Sequence, residues 1–263
     1  MSDPVLSVRG LSLAFGGVRA LDDVTFDVER GSVTGIIGPN GAGKTTLFDC
    51  ISGIRLPDAG EVVLRRPDGG QAELIARRPW ERSGLGLART FQNARLFSSV
   101  PIGEILRTVQ HEAMVRSGFW RTVLGTRGAR ADEAEVARRA EEALDLVGLA
   151  AHRDKPPSEL STGMLRLTEL AAVAVVRPKV LLLDEPASGI AQAETEALGP
   201  LLRRLADHLD ATIVLIEHDM PLVMGISDTI VAMAEGAVVT IGAPDDVRRH
   251  PEVLRSYLGV AAS

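Results

Sequence analysis

The stretch GPNGAGKTT, residues Gly38–Thr46, follows the apolar run Val33–Ile37 and opens a helical pattern. The spacing Gly-x4-Gly-Lys-Thr lets backbone N–H groups converge on an anion, which a Cβ at the glycine positions would obstruct. The N-terminus of the following helix adds a dipole that favours negative charge. Lys44 is then expected to reach the β- and γ-phosphates of a nucleotide, and the Thr45 hydroxyl to ligate Mg²⁺. A glycine-rich turn that carries a lysine by chance is the alternative, and the flanking strand and helix argue against it.

The rest of the chain predicts an α/β fold around this loop. Short alternating runs in residues 5–28 are typical of strands in an antiparallel layer, and residues 61–75 have the pattern of a hairpin. Nearer the C-terminus, helical patterns alternate with apolar strands such as Val180–Leu183 and Thr212–Ile216. Alternating elements of this kind favour a parallel sheet.

Composition changes in the middle of the chain. From Pro101 to Leu149 the residues are rich in Ala, Arg, Glu and Leu, with apolar positions at helical spacing. We therefore expect one unit over residues 1–263, with an α/β core and its antiparallel β layer in 1–92 and 161–263. We expect a helical subdomain to be inserted at 93–160.

Composition also limits the class of protein. The chain has 263 residues, 45% of them hydrophobic and 24% charged, with a net charge of −6. These are ordinary globular values, and the negative charge argues against nucleic acid as a partner, since phosphate contacts require a basic face. The single cysteine, Cys50, can form no disulfide within the chain and suits a reducing cytoplasm. The N-terminus lacks a signal-peptide pattern, and no run approaches the ~18 apolar residues of a membrane span.

Two carboxylates, Asp184 and Glu185, follow the apolar run Val180–Leu183. The carboxyl end of a buried parallel strand is where such sheets bind ligands. Asp184 is expected to hold Mg²⁺ through water, and Glu185 to act as general base on the attacking water. An acidic cap on the segment that starts at Pro186 is the alternative.

Two further polar residues are candidates for the same site. His218 follows the apolar run Thr212–Ile216, where an imidazole can hydrogen-bond the γ-phosphate and orient the water. A structural histidine is the alternative there. Gln92 lies where the α/β body gives way to the helical region, so its amide can contact both the metal and a moving domain. The alternative for Gln92 is a polar surface residue without a functional role.

A second anion site is indicated by Leu160–Met164, which opens another helical pattern. The Ser161 hydroxyl and the Gly163 backbone N–H can grip a phosphate at a helix start, with an ordinary serine cap as the alternative. One chain with two such helix starts predicts a head-to-tail dimer in which each nucleotide is shared.

Together these residues resemble the nucleotide-binding subunit of ATP-binding cassette (ABC) transporters, and the likeness covers nearly the whole chain. Five motifs carry it: the Walker A loop Gly38–Thr46, the Q-loop residue Gln92, the signature Leu160–Met164, the Walker B strand Val180–Glu185 and the switch histidine His218. Within the family the chain is most similar to the ATPases of branched-chain amino-acid importers, through residues 88–97, 216–228 and 250–259. ATPases for lipopolysaccharide export share several of these sequence stretches.

The resemblance implies ATP and Mg²⁺ as ligands and catalytic roles for Lys44, Glu185 and His218. It implies nucleotide contacts for Phe15, Gly38, Asn40, Gly41, Ala42, Gly43, Lys44, Thr45, Thr46, Gln92, Ser161 and Gly163. It implies metal contacts for Thr45, Gln92 and Asp184. Phe15 stands where the family stacks an aromatic ring on adenine, with a core phenylalanine as the alternative.

The resemblance also implies partners and a location. These are transmembrane permease subunits, a second ATPase subunit in a homo- or heterodimer, and a substrate-binding protein, with the chain peripheral on the inner face of the cell membrane. The expected function is ATP hydrolysis that drives import of branched-chain or related amino acids or amides. The alternatives are the ATPase of a lipid or lipopolysaccharide exporter and a soluble, non-transport ATPase of the family. A phosphate-loop kinase or GTPase leaves Ser161 and Gly163 unexplained, and no Asn-Lys-x-Asp stretch is present.

The chain departs from the family pattern at two places. Thr162 and Met164 replace the first Gly and the Gln of Leu-Ser-Gly-Gly-Gln, while Ser161 and Gly163 remain. Ala191 stands where the family usually has an Asp or Asn that couples the two halves of the dimer. Contact with ATP is expected to survive, and cooperativity between the two sites is the property in question.

Overall fold

The computed structural model describes residues 4–66, 69–90, 98–110, 127–190 and 192–258. The strands are β1 Pro4–Phe15, β2 Val18–Glu29, β3 Val33–Ile37, β4 Ala59–Arg65, β5 Gln71–Glu73, β6 Leu87–Arg89, β7 Val180–Asp184, β8 Thr212–Ile216, β9 Thr229–Ala234 and β10 Ala237–Gly242. The helices are α1 Lys44–Ser52, α2 Pro79–Gly84, α3 at residues 102–110, α4 Arg127–Leu146, α5 Thr162–Ala174, α6 Gln192–Leu209, α7 Met220–Ile226, α8 Pro244–Arg248 and α9 Pro251–Leu258. Within these ranges, none of the helices combines the length and the apolar character that a membrane crossing requires.

Four strands form an antiparallel sheet in the order β2-β1-β4-β5. Along β2, the buried residues Val24, Phe26 and Val28 alternate with exposed ones. This alternation is expected of a sheet with one face on the core and the other in solvent.

Six strands form a second sheet in the order β10-β9-β3-β8-β7-β6, parallel except for β10. Every residue of β3, β7 and β8 is buried, as expected for parallel strands covered on both faces. Because β8 lies between β3 and β7, the carboxyl ends of these three strands meet at one edge of the sheet. That edge is where ligands bind in sheets of this type.

The two faces of the parallel sheet belong to two apolar cores. Residues such as Leu182 and Val214 pack with α1 and the antiparallel sheet, whereas Leu181 and Leu215 pack with the helices on the other side. The second core is continuous through α3, α4, α5 and α6. The predicted fold class, an α/β core with an antiparallel β layer and inserted helices, is confirmed. The subdomain limits at 93 and 160 stay a prediction.

Candidate functional site

The phosphate loop connects β3 to α1 and is closely packed at two glycines. A Cβ on Gly38 would lie 2.4 Å from the Met233 carbonyl oxygen, and one on Gly43 would lie 2.4 Å from the Ala20 carbonyl oxygen. Gly43 is also the N-cap of α1, with φ +95. Only glycine can adopt this conformation at so close an approach.

Gly38→Ala is expected to lower the free energy of unfolding by about 1–3 kcal/mol, the usual cost of overpacking. The matched control is Gly84→Ala, because a Cβ there meets nothing within 4 Å. That variant is expected to be neutral or stabilising by up to about 1 kcal/mol. Denaturant unfolding of both proteins gives the comparison, and equal stability of Gly38→Ala and the wild type would contradict the close approach of Met233.

Lys44 is held inside this loop. Its Nζ donates to the carbonyl oxygens of Gly38 at 2.6 Å and Pro39 at 3.0 Å, and the residue is 6% exposed. Burial lowers the pKa of the Lys44 amine, while the nearby carboxylates of Glu185 and Asp184 act in the opposite direction. Lys44 therefore lies near the carboxylates of Asp184, the last residue of β7, and of Glu185, which follows it.

The other predicted phosphate-loop contacts differ in their exposure to solvent. Asn40, Gly41 and Thr45 are exposed, Thr46 is half-buried and Ala42 is buried. The exposed residues of the loop and of the first turn of α1 can therefore contact a ligand.

Glu185 and His218 meet across two neighbouring strands. Glu185 follows β7 with φ +49, and its N–H donates to the Ile216 carbonyl oxygen at 2.9 Å. The left-handed backbone is unfavourable for a residue with a Cβ, and strained residues of this kind cluster at active sites, ligand clamps and switch regions. Glu185 Oε1 lies 3.0 Å from His218 Nε2. The structure thus brings together two residues that the sequence predicted separately.

Asp184 forms a buried ion pair that the sequence reasoning missed. Arg89, at the end of β6, donates from Nη2 to Asp184 Oδ2 at 2.8 Å and from Nη1 to Asp49 Oδ1 at 2.7 Å. It also donates to the Ser52 hydroxyl at 3.0 Å. Burial raises the pKa of the Asp184 carboxyl, and the Arg89 guanidinium opposes this. Arg89 therefore joins α1 to the carboxyl edge of the sheet.

Arg89→Met is expected to lower the free energy of unfolding by about 3–5 kcal/mol, because it leaves the Asp184 carboxylate buried without its partner. Arg19→Met is the control, since Arg19 pairs with Asp22 at the surface with 71% of its side chain exposed. Loss of such an exposed pair is expected to cost about 0–1 kcal/mol. Denaturant unfolding measures both, and similar effects in the two variants would contradict a stabilising role for Arg89.

The oxygen atoms at this edge fit a magnesium ion. Asp184 Oδ1 is buried and has no hydrogen-bond partner in the part of the chain that the structure describes. Mg²⁺ is usually bound through one or two carboxylates together with substrate phosphates rather than by a cage of protein ligands. The described residues contain no group of three or more His, Cys, Asp and Glu side chains able to hold a metal.

The signature residues lie at the start of α5. Ser161 is the N-cap of this helix, and its hydroxyl oxygen accepts the Met164 N–H at 3.2 Å. Ser161 is exposed and Gly163 is half-buried. The same helix contacts the loop after β7, because Arg166 Nε donates to the Ser188 carbonyl oxygen at 3.3 Å. The cap predicted as the alternative is present, and it leaves the helix start open to solvent.

Phe15 lies at the surface rather than in the core. The residue is 43% exposed, and the Arg55 guanidinium carbon lies 4.9 Å from the centre of its ring. The exposed ring can stack with a flat partner. Gln92 and Ala191 lie outside the described residues.

Comparison with known proteins agrees with this geometry. A family model described as ABC transporter matches residues 21–188. The high-affinity branched-chain amino acid transport ATP-binding protein LivG of Salmonella typhimurium is 40% identical over 263 residues, which cover 99% of this chain and 100% of LivG. The protein of the same description from Pseudomonas aeruginosa, BraF, is 39% identical over 261 residues, covering 99% of this chain and all of BraF.

A solved structure matches the fold over the same extent. It is the crystal structure of the ADP conformation of MJ1267, an ATP-binding cassette of an ABC transporter, with a TM-score of 0.82 and 26% identity. The match covers 98% of this chain and 100% of MJ1267. The predicted resemblance is confirmed. The chain belongs to the ABC transporter family, as one of its nucleotide-binding ATPase subunits.

Proposed function

We propose that the chain is the ATPase subunit of an importer for branched-chain amino acids or for related amino acids or amides. The ATPase reaction is supported by one arrangement: Glu185 and His218 are in contact at the sheet edge, close to the buried Lys44. The substrate class is supported by the likeness to LivG and BraF, whose descriptions name branched-chain amino acid transport.

Three side chains have separate roles in hydrolysis. Glu185 accepts a proton from the attacking water as general base, which makes the water a better nucleophile. His218 holds the Glu185 carboxylate through its ring nitrogen and orients the water toward the γ-phosphate. Lys44 supplies positive charge to the β- and γ-phosphates, where negative charge is redistributed during phosphoryl transfer.

Asp184 and Thr45 are the residues that would hold Mg²⁺, with Gln92 as a further ligand. When bound, the ion would supply positive charge that neutralises negative charge on the phosphates. Arg89 donates to one oxygen of the Asp184 carboxylate, whereas the other oxygen is buried and has no hydrogen-bond partner among the described residues. The buried Arg89, which ends β6 and is hydrogen-bonded to α1, thereby orients the Asp184 carboxylate that would hold the metal.

Efficient hydrolysis is proposed to need a second ATPase subunit in a head-to-tail dimer. Ser161 and the Gly163 N–H stand at an accessible helix start, which suits the phosphates of a nucleotide bound by the partner. Phe15 is proposed to stack on adenine with its exposed ring. Each nucleotide then lies between the phosphate loop of one subunit and the signature helix of the other.

ATPase subunits of ABC importers work with transmembrane permease subunits. We propose that such permeases hold this chain at the inner face of the cell membrane and contact the helical region 93–160. A substrate-binding protein would deliver the amino acid to the same permeases. Closure of the ATPase dimer around ATP drives the permeases between inward- and outward-facing states, and hydrolysis reopens the dimer.

Purification of the chain from detergent-solubilised membranes tests this assembly. Permease subunits are expected to co-purify, and the complex in liposomes is expected to hydrolyse ATP faster when a binding protein loaded with leucine, isoleucine or valine is added. The purified chain alone serves as the reference for turnover. Co-purification of a lipid-export bridge would contradict the import function, and so would an ATP turnover rate that no amino acid changes. Neither result would contradict the ATPase assignment.

A further inference from the structure

Glu217 is a buried acidic residue that the mechanism above does not use. It directly follows β8 and is 4% exposed. One carboxylate oxygen, Oε1, accepts the Ala187 N–H at 2.7 Å. The other, Oε2, accepts the N–H groups of His218 at 2.8 Å and Asp219 at 3.3 Å. A single side chain therefore bonds the backbone after β7 to the backbone after β8.

These bonds begin where the pairing of the two strands ends. The last paired residues of β7 and β8 are Asp184 and Ile216, and the Glu185 N–H adds one more bond to the Ile216 carbonyl. Beyond that point the two segments leave the sheet. Buried backbone N–H groups need an acceptor, and an ionised carboxylate can accept several of them. Glu217 supplies the acceptor for both segments.

The two segments are those that carry Glu185 and His218. A left-handed backbone such as that of Glu185 persists only where the surrounding structure over-determines it. The Ile216 carbonyl restrains Glu185 from one side, and Glu217 restrains the segment after it through Ala187. Glu217 also accepts the His218 N–H. The two segments that are joined by the 3.0 Å contact between Glu185 and His218 are therefore both hydrogen-bonded to Glu217.

We propose that Glu217 is a positioning residue that fixes the distance between Glu185 and His218. The catalytic importance of this distance rests on the proposed function, whereas the distance itself does not depend on turnover. A glutamine at 217 would have one acceptor and one donor in place of two acceptors. It can therefore serve the N–H groups on one side only.

Glu217→Gln is the main test, because it changes the hydrogen bonding and keeps the size. We expect ATP turnover of the assembled complex to fall about 10- to 100-fold, since a displacement of about 1 Å at a reacting group can cost that much. Affinity for a nonhydrolysable ATP analogue is expected to stay within about threefold. A purely structural role would instead lower analogue affinity and thermal stability together with turnover.

Glu73→Gln is the matched control. Glu73 also accepts two backbone N–H groups, from Ile75 at 2.6 Å and Ala76 at 3.1 Å, but it lies in β5 of the antiparallel sheet. Its replacement is expected to leave turnover unchanged. Equal losses of turnover in the two variants would overturn the proposal, because they would report a general effect of removing such a carboxylate.

Proton–carbon NMR of the five histidine rings gives a readout that does not need turnover. The His218 signal is assigned from its loss in His218→Ala, and Glu185→Gln marks its position when the partner carboxylate is replaced. We expect Glu217→Gln to move the His218 signal toward the Glu185→Gln position and Glu73→Gln to leave it in place. Glu217→Asp, which keeps the charge on a shorter side chain, takes the place of Glu217→Gln if that protein does not fold.

The two readouts separate the proposal from the function on which it rests. An unmoved His218 signal in the folded Glu217 variant overturns the positioning role, whatever the turnover. A moved signal in a protein whose wild type hydrolyses no ATP supports the positioning role and contradicts the proposed function alone.

Discussion

Glu185→Gln is expected to reduce ATP turnover about 100- to 10,000-fold, the range that a positioned general base contributes. The amide has nearly the same size but cannot accept a proton from water at neutral pH. The fold is expected to persist, because the Glu185 N–H and carbonyl oxygen keep their bonds to Ile216 and Ser188. Phosphate release by the assembled complex measures turnover, and titration with a nonhydrolysable analogue measures binding.

Glu196→Gln is the control for this experiment, since Glu196 is exposed on α6. It is expected to match the wild type in both measurements. Turnover of Glu185→Gln within a few-fold of the wild type would remove Glu185 as the base. Loss of binding in parallel with turnover would point instead to a change in the nucleotide site as a whole.

Lys44→Ala is expected to weaken ATP binding about 10- to 150-fold. A hydrogen bond to a charged group contributes about 1.5–3 kcal/mol, and each 1.4 kcal/mol changes an affinity about tenfold. The variant removes the positive charge that lies inside the loop between the Gly38 and Pro39 carbonyls. Isothermal titration of the purified chain with the analogue gives the change in affinity.

Lys179→Ala is the matched lysine control, because its amine pairs with the exposed Asp210 at 3.0 Å. Its affinity for the analogue is expected to equal that of the wild type. Unchanged binding in Lys44→Ala would show that backbone N–H groups of the loop hold the phosphates without the lysine.

The strands of the parallel sheet are predictable because they are buried on both faces. Val33–Ile37 and Thr212–Ile216 have the limits expected from their apolar runs. Short elements carry too few residues for a period to be read. β6 and α2 were not predicted for this reason, and β6 exists through its pairing with β7.

Helix limits depended on single residues near the ends. The helix after the phosphate loop, α1, ends at Ser52 because Gly53 takes φ +85 as a left-handed cap, although the apolar residue Ile54 follows. The C-terminal segment forms two helices, α8 and α9, instead of one continuous helix. Pro251 begins the second, as proline fits the first turn of a helix and interrupts a preceding one.

Some residues of the candidate site could be predicted from the sequence, and others could not. The phosphate loop, Glu185 and His218 were found from local spacing and from their position after apolar strands. Arg89 and Glu217 were not, because their partners are remote in sequence: Asp184 is 95 residues from Arg89, and Ala187 is 30 residues from Glu217. In the sequence, Arg89 is a charged residue at a strand end and Glu217 is an acidic neighbour of His218. Neither feature indicates which residue would be its partner.

The sequence by itself determined the α/β class, the phosphate loop and the identity of the carboxylates, because these follow from periodicity and spacing within short segments. The tertiary structure decided that β8 lies between β3 and β7, and therefore that Lys44, Glu185 and His218 share one edge. Strand order and register arise from packing between segments far apart in the chain, which no local pattern encodes. The buried contacts of Arg89 and Glu217 follow from that order.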